Sequence, residues 1–224
     1  MIPKHIAVIL DGNRRYSKKK GISSFQGHYK GAQKVEDLIN WAIEFHIREL
    51  TLYSFSLENF QRSKKEVDYL FDLFRRNIKK IGNNKGVHKN RIRINFIGRL
   101  NMFPKDLRDS MIDLMNKTKR YDNLKVNFAM AYGSIGEIVD MVKNIIKKKY
   151  KKVDEKIVLD NLYLKDSPDL LIRPGGEKRL SNFLLIQMAY TELYFTEKLW
   201  PEFKKKDFTK AIREFEIRER RYGK

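Results

Sequence analysis

The chain has 224 residues, a length at which one domain with a sizeable core is the ordinary outcome. It carries 48 lysines and arginines against 28 aspartates and glutamates; the net charge of +20 favours polyanions, anionic lipid head groups or phosphorylated substrates. There is no cysteine, which excludes disulfides, thiolate metal sites and a cysteine nucleophile, and no uncharged apolar run approaches the roughly 18 residues of a membrane span. The first residues fit no secretory signal, so a cytoplasmic protein is expected.

Residues 6–10 are apolar throughout, the pattern of a parallel strand buried on both faces; the run stops at Asp11, and Gly12-Asn13 is a turn signal. A basic loop follows at 18–21. Val35, Leu38, Ile39, Ala42 and Ile43 recur at helical spacing within 32–46. A second strand at 49–55 ends in a polar cluster at 56–62, and a helix over 64–81 turns Val67, Leu70, Leu73, Phe74 and Ile78 inward. Residues 82–89 read as a loop, 91–97 as a third strand, and 104–117 as a helix with proline near its first turn. A fourth strand covers 124–132; a helix from Ile135 runs into the lysines of 147–152, and a short helix covers 153–162. Strands at 169–172 and 192–195 and a helix over 207–219 complete the chain. The alternation predicts an α/β fold: a single domain over residues 1–224, its central, mostly parallel sheet of about six strands flanked by helices.

Parallel strands end on one side of a sheet, where ligands bind, and three predicted strand ends carry polar clusters that should converge. Asp11, able to hold a hard cation, precedes Arg14 and Arg15, an arrangement suited to Mg²⁺ and phosphate. At 173–181, Gly175-Gly176 exposes backbone amides, Arg173 and Arg179 add forked donors, and Ser181 adds a hydroxyl, a set that suits a diphosphate. Glu192, eleven residues on, offers a second carboxylate for the cation at Asp11. No nucleotide-binding signature is present, so the site reads as one for phosphate without a nucleoside.

Four motifs occur in order: Asp-Gly-Asn-Arg-Arg-Tyr at 11–16, Gly27-His28, Ser-Leu-Glu-Asn-Phe-Gln-Arg-Ser-Lys-Lys-Glu-Val at 56–67, and Arg-Pro-Gly-Gly-Glu-Lys-Arg-Leu-Ser-Asn-Phe-Leu-Leu at 173–185. Together they resemble the cis-prenyltransferase family, the undecaprenyl or dehydrodolichyl diphosphate synthase type, across residues 5–223. Tyr16 and the 59–63 form look more like archaeal and eukaryotic members. The resemblance implies Mg²⁺-dependent condensation of isopentenyl diphosphate with an allylic diphosphate, farnesyl or geranylgeranyl, giving a medium- or long-chain polyprenyl diphosphate for a glycan carrier lipid. Asp11 matches the catalytic aspartate that places Mg²⁺. Gly12, Asn13 and Arg15 match the loop holding the allylic diphosphate, with Arg14 and Tyr16 in the same motif and His28 beside it. Ser56, Asn59, Phe60 and Arg62 match the cluster over the reacting carbons, and Glu66 a helix residue behind it. Arg173, Arg179 and Ser181 match the isopentenyl diphosphate site, and Glu192 a second metal contact. The family dimerises, and its Arg-X-Gly tail, here Arg221 and Gly223, reaches the partner's diphosphate site.

A growing prenyl chain needs an apolar tunnel, with Leu52, Phe55, Phe71, Phe74, Phe96, Phe128 and Met130 as expected walls. The proton acceptor stays open among Asp11, Asn59 through a polar relay, and the departing diphosphate. Pro174 and Ser24 depart from the bacterial pattern, which leaves starter preference and the anion contacts open. The competing readings are a non-catalytic or partner-dependent subunit and a basic nucleic-acid-binding protein. Arginines placed beside carboxylates at strand ends argue against nucleic acid, and the excess charge fits peripheral association with an anionic membrane instead.

Overall fold

The structure, a computed structural model, describes residues 2–218. Its frame is one six-stranded sheet in the order β3-β4-β2-β1-β5-β6, built from β1 (His5–Ile9), β2 (Glu49–Ser56), β3 (Ile92–Ile97), β4 (Leu124–Tyr132), β5 (Leu170–Pro174) and β6 (Glu192–Thr196). All five pairings are parallel, so every carboxyl end lies on one edge. β1 is central, and Ile6, Ala7 and Val8 are wholly buried. Its side chains alternate between two cores, Ile6 and Val8 on one face and Ala7 and Ile9 on the other.

The first face is covered by α2 (Ser24–Glu44), α3 (Lys64–Gly82), the short α4 (Lys85–Lys89), α5 (Lys105–Thr118) and α8 (Lys205–Ile217), which bury Leu38, Leu70, Val87, Leu107 and Phe208 among others. The second face carries α6 (Ser134–Lys148), the short α7 (Glu155–Asp160) and the turns that bury Leu164, Phe183, Leu184 and Met188. The α/β expectation holds, and the sheet is parallel throughout.

Three helical segments escaped the sequence reading; the short α4 lies within 82–89, read as a loop, and is opened by Asn84, whose side chain accepts from the Gly86 N–H at 2.7 Å. α1 (Asn13–Lys20) occupies what read as a turn and a basic loop, because an eight-residue helix that buries only Ser17 shows no apolar period. α2 begins eight residues earlier than expected, at a capping box in which Ser23 and Gln26 satisfy each other's backbone amides. Gly27 and Gly31, both on α2, serve the contact between α1 and α2. A Cβ on Gly27 would lie 2.0 Å from Ser17 Oγ, and one on Gly31 2.2 Å from Asn13 Oδ1. Trp200, fully buried, holds the same corner: its indole N–H donates to Gly31 O at 2.8 Å and its backbone N–H to Asp11 O at 2.9 Å.

Candidate active site

β1 ends at Ile9, and the chain turns through Gly12, whose φ of +109° suits a residue without Cβ; a Cβ there would also meet Leu199 at 2.9 Å. That turn presents Asp11 to the carboxyl edge and opens α1. The first turn of α1 contains no acidic residue and has no side-chain cap, leaving its amides and the positive end of its dipole for an anion.

The Asp11 carboxylate bridges two guanidiniums. Oδ1 lies 3.0 Å from Arg15 Nη2, and Oδ2 accepts from Arg173 Nη2 at 2.9 Å. Arg173 is 3 % exposed, yet its other nitrogen, Nη1, donates to Ser181 Oγ at 2.9 Å and to the carbonyl of Arg179. Arg15 donates to Gly175 O. The first and fifth strand ends thus meet as expected. The second joins them through Tyr53, whose hydroxyl donates to Ser181 O at 3.2 Å, and through Asn182, which donates to Glu58 Oε1 at 3.0 Å.

Beside this cluster, Glu66 Oε1 pairs at 3.1 Å with both His28 Nε2 and Arg62 Nη1. Burial holds the His28 imidazole below its ordinary pKa of 6.5, and the Arg62 and Arg14 charges add to the effect, against the hydrogen bond that the ring donates to the Glu66 carboxylate. Burial lowers His5 likewise. The unfolded chain takes protons at these rings near pH 6.5 while the folded one resists, so their contribution to stability is complete above that value and falls below it. Thermal unfolding should therefore show a midpoint that declines as pH drops from about 6.5 towards 5. His28→Gln should flatten that decline, and an unchanged slope would remove His28 from the explanation.

A cavity of about 1140 Å³ opens from the cluster into the first face. Asp11, Asn13, His28, Ser56, Asn59, Arg62, Arg173, Arg179 and Ser181 stand at its polar end; Ile39, Leu73, Phe74, Ile92, Ile94, Phe96, Phe128 and Met130 line its length between the sheet and α2 and α3. The volume exceeds the roughly 300–1,000 Å³ of ordinary small-molecule pockets, and with an ionic mouth it suits a long apolar ligand with an anionic head. Four of the seven expected walls line it. Leu52, Phe55 and Phe71 do not: Leu52 lies in the core, while Phe55 and Phe71 pack with Phe60, Phe74 and Phe103 in an aromatic cluster.

Of the remaining expected residues, Gly12 shapes the turn, Arg15 holds Asp11, and Glu66 orients His28 and Arg62. Arg14 is exposed, and Tyr16 and Phe60 are half-buried away from the cavity. Glu192 needs a correction. It opens β6 on the amino edge of the sheet, paired with Leu170 and bound by Arg218 at 2.8 Å, whereas Asp11 lies on the carboxyl edge. Within one chain the two carboxylates cannot share a cation; Glu192 opens the strand expected at 192–195, and the first residue of a parallel strand lies on the edge opposite Asp11. Arg221 and Gly223 lie outside the described residues. The reading also missed Glu177, paired with Arg179 at 2.6 Å and Arg15 at 3.5 Å, and Glu197, whose carboxylate lies against Gly176. Glu197 follows a strand's carboxyl end, the signal that singled out Asp11.

Among the described residues no three acidic or histidine side chains converge into a metal cage. A single carboxylate at the rim, ringed by phosphate-binding groups, fits Mg²⁺, which takes one or two protein carboxylates and completes its shell with substrate phosphate and water.

A parallel α/β sheet with an anion site on its carboxyl edge and a deep apolar cavity behind defines an enzyme that handles a diphosphate carrying a hydrocarbon chain. The family model described as "Putative undecaprenyl diphosphate synthase" matches residues 9–223. The chain is 44% identical over 232 residues to the tritrans,polycis-undecaprenyl-diphosphate synthase (geranylgeranyl-diphosphate specific) of Pyrococcus abyssi, covering 100% of this chain and 88% of that one. Lavandulyl diphosphate synthase from Lavandula x intermedia, solved with dimethylallyl diphosphate, matches with a TM-score of 0.90 at 32% identity over 100% of this chain and 99% of that one. A structure titled a probable undecaprenyl diphosphate synthase from Campylobacter jejuni matches at 0.85 and 37%, covering 99% of each chain. The chain belongs to the cis-prenyltransferase (undecaprenyl diphosphate synthase) family, and its activity is cis-prenyl chain elongation.

Proposed function

We propose that the enzyme extends geranylgeranyl diphosphate with isopentenyl diphosphate, in the presence of Mg²⁺, to a long polyprenyl diphosphate that serves as a carrier lipid for glycan assembly. The observation that carries this reading is the Asp11 carboxylate, flanked by Arg15 and Arg173, at the mouth of the apolar cavity. The geranylgeranyl-diphosphate specificity of the Pyrococcus abyssi relative supports geranylgeranyl over farnesyl diphosphate as the starter. Labelled isopentenyl diphosphate supplied with each starter, with and without EDTA, tests both points. Incorporation abolished by EDTA and fastest with geranylgeranyl diphosphate is expected; faster farnesyl transfer overturns the starter, and none with either overturns the self-sufficient enzyme in favour of a partner-dependent subunit.

The α1 amides and Arg15 hold the allylic diphosphate, and Arg173, Arg179 and Ser181 hold isopentenyl diphosphate. The allylic carbon–oxygen bond breaks with its electron pair leaving on the diphosphate, and the guanidiniums stabilise that charge. Asp11 would hold Mg²⁺, which would supply further positive charge to the leaving diphosphate. The isopentenyl double bond then attacks the allylic carbon, and a proton leaves the isopentenyl unit. Asn59 lines the cavity with its carbonyl oxygen engaged by the Ser56 N–H at 3.1 Å, which leaves its NH₂ group as the donor for a ligand in this reading.

The cavity's length sets how far the chain can grow. Ile39→Trp on α2 should shorten the main product by several isoprene units, and Ile81→Trp, towards α4, should shorten it less; product chromatography reads the order, and equal lengths would place the growing chain elsewhere.

A homodimer is supported by α6, where Ile135, Val139, Val142 and Ile146 form an exposed apolar stripe, 41–69 % accessible, beside exposed Leu185. Val142→Asp should shift the mass by light scattering from about twice 26.8 kDa towards 26.8 kDa; an unchanged mass would move the interface off this face. No described helix is long and apolar enough to cross a membrane. The excess positive charge supports a cytoplasmic enzyme held at an anionic membrane surface, read by sedimentation with anionic against neutral vesicles.

A further inference from the structure

The amino end of α6 has no assigned role towards substrate, yet two segments of the site rest on it. A Cβ on Gly133 would lie 2.6 Å from Asn182 Nδ2, and one on Gly136 2.9 Å from Leu57, so both glycines let these side chains pack close against α6. The Ser134 N–H donates to Asn182 O at 2.8 Å, the Ile135 N–H to Asn182 Oδ1 at 3.0 Å, and the Leu185 N–H to Ser134 Oγ at 2.9 Å. These bonds hold a strained segment: Ser181, Asn182 and Leu184 have φ of 50°, 62° and 47°, a region unfavourable to residues with a Cβ. Ser181 is the residue whose hydroxyl accepts from Arg173.

Asn182 uses its remaining donor on the second segment. Its Nδ2 reaches Glu58 Oε1 at 3.0 Å, in the 3₁₀ turn Leu57–Gln61 that carries Asn59. Burial raises the Glu58 carboxyl, but hydrogen bonds from Ser56 and Asn182 outweigh it and hold the group below its ordinary value, so the acceptor is an ionised carboxylate.

We propose that Asn182 is a positioning residue: by capping α6 through Oδ1 and binding Glu58 through Nδ2, it fixes the distance between the loop that holds isopentenyl diphosphate and the turn that faces the allylic carbon. Asn182 stands in the cavity lining beside Ser181, with both polar atoms of its side chain engaged by protein partners. The proposal rests on the assignment of Arg173, Arg179 and Ser181 to isopentenyl diphosphate.

The test reverses the bond. Asn182→Asp keeps an oxygen for the Ile135 N–H but sets a second carboxylate against Glu58; adding Glu58→Gln restores a donor–acceptor pair with the roles exchanged. Asn182→Asp should raise the KM for isopentenyl diphosphate about tenfold and lower kcat by a similar factor, with a smaller change in the KM for the allylic substrate. The double variant should return both to within about threefold of the native enzyme. Glu58→Ala removes the same bond without touching the α6 cap, and should reproduce the KM change with a thermal midpoint near the native one. Native-like KM values in Asn182→Asp and Glu58→Ala, or a double variant no better than Asn182→Asp, would overturn the positioning role. An inactive native enzyme would overturn the substrate assignment itself, a result distinct from unchanged variants of an active one.

Discussion

Asp11→Ala should lower kcat by about three orders of magnitude and leave the fold intact. Among the described residues the carboxylate is the acidic group paired with both Arg15 and Arg173 at the cavity mouth, where the proposed mechanism puts the charge of the leaving diphosphate. Removing it costs little structure, because the turn is fixed by its backbone: Asp11 N–H donates to Ile9 O at 2.9 Å and Asp11 O accepts from Trp200 N–H at 2.9 Å. Both guanidiniums stay in place, Arg15 held by Gly175 O and Arg173 by Ser181 Oγ and Arg179 O, so KM should rise far less than kcat falls, and the residual rate should respond only weakly to EDTA. Steady-state prenyl transfer, read with a melting curve, checks this; a kcat within about tenfold of the native value would remove Asp11 from cation binding.

Arg173→Ala comes next, with an expected loss of about 10²- to 10³-fold in kcat/KM for isopentenyl diphosphate and a smaller change for the allylic substrate. One buried side chain serves three partners at once: Asp11, Ser181 Oγ and Arg179 O. Arg173→Lys should recover little of this, because a single ammonium cannot span the fork. Asp11 keeps Arg15 as a partner in the variant, so the stability cost should stay near about 1–3 kcal/mol. A kcat/KM within about fivefold of native in Arg173→Ala would transfer the isopentenyl site to the exposed Arg179.

The parts of the site legible in the sequence were those that follow from one rule, that parallel strands end together. Asp11, Ser56 and Arg173 each directly follow or close an apolar run, and their meeting needed no knowledge of packing. Glu192 stands at the start of its strand instead, so the same rule puts it on the far edge. The cavity walls were less legible. In β2, Leu52 and Phe55 have the apolar character of Phe96 and Phe128 in β3 and β4, and only the placing of α2 and α3 decides which face a void and which face neighbours. α1 was hidden because its fit to α2 depends on absent side chains, at Gly27 and Gly31, which carry no hydrophobic signal. Asn182 was quoted within a motif, but its part depends on a contact 124 residues away in sequence.

The strands that floor the cavity bear on how such an enzyme can diverge. β3 and β4 pair without a shift from Ile92↔Leu124 to Ile97↔Ala129, and six residues at about 3.3 Å each give a floor of about 20 Å. Inserting a residue there would exchange the two faces of a strand and expose its core side chains, so the floor resists evolutionary change. Helices carry no such penalty for a changed side chain. Inheritance of product length should therefore be written in α2, α3 and α4, with the sheet common to short- and long-chain descendants.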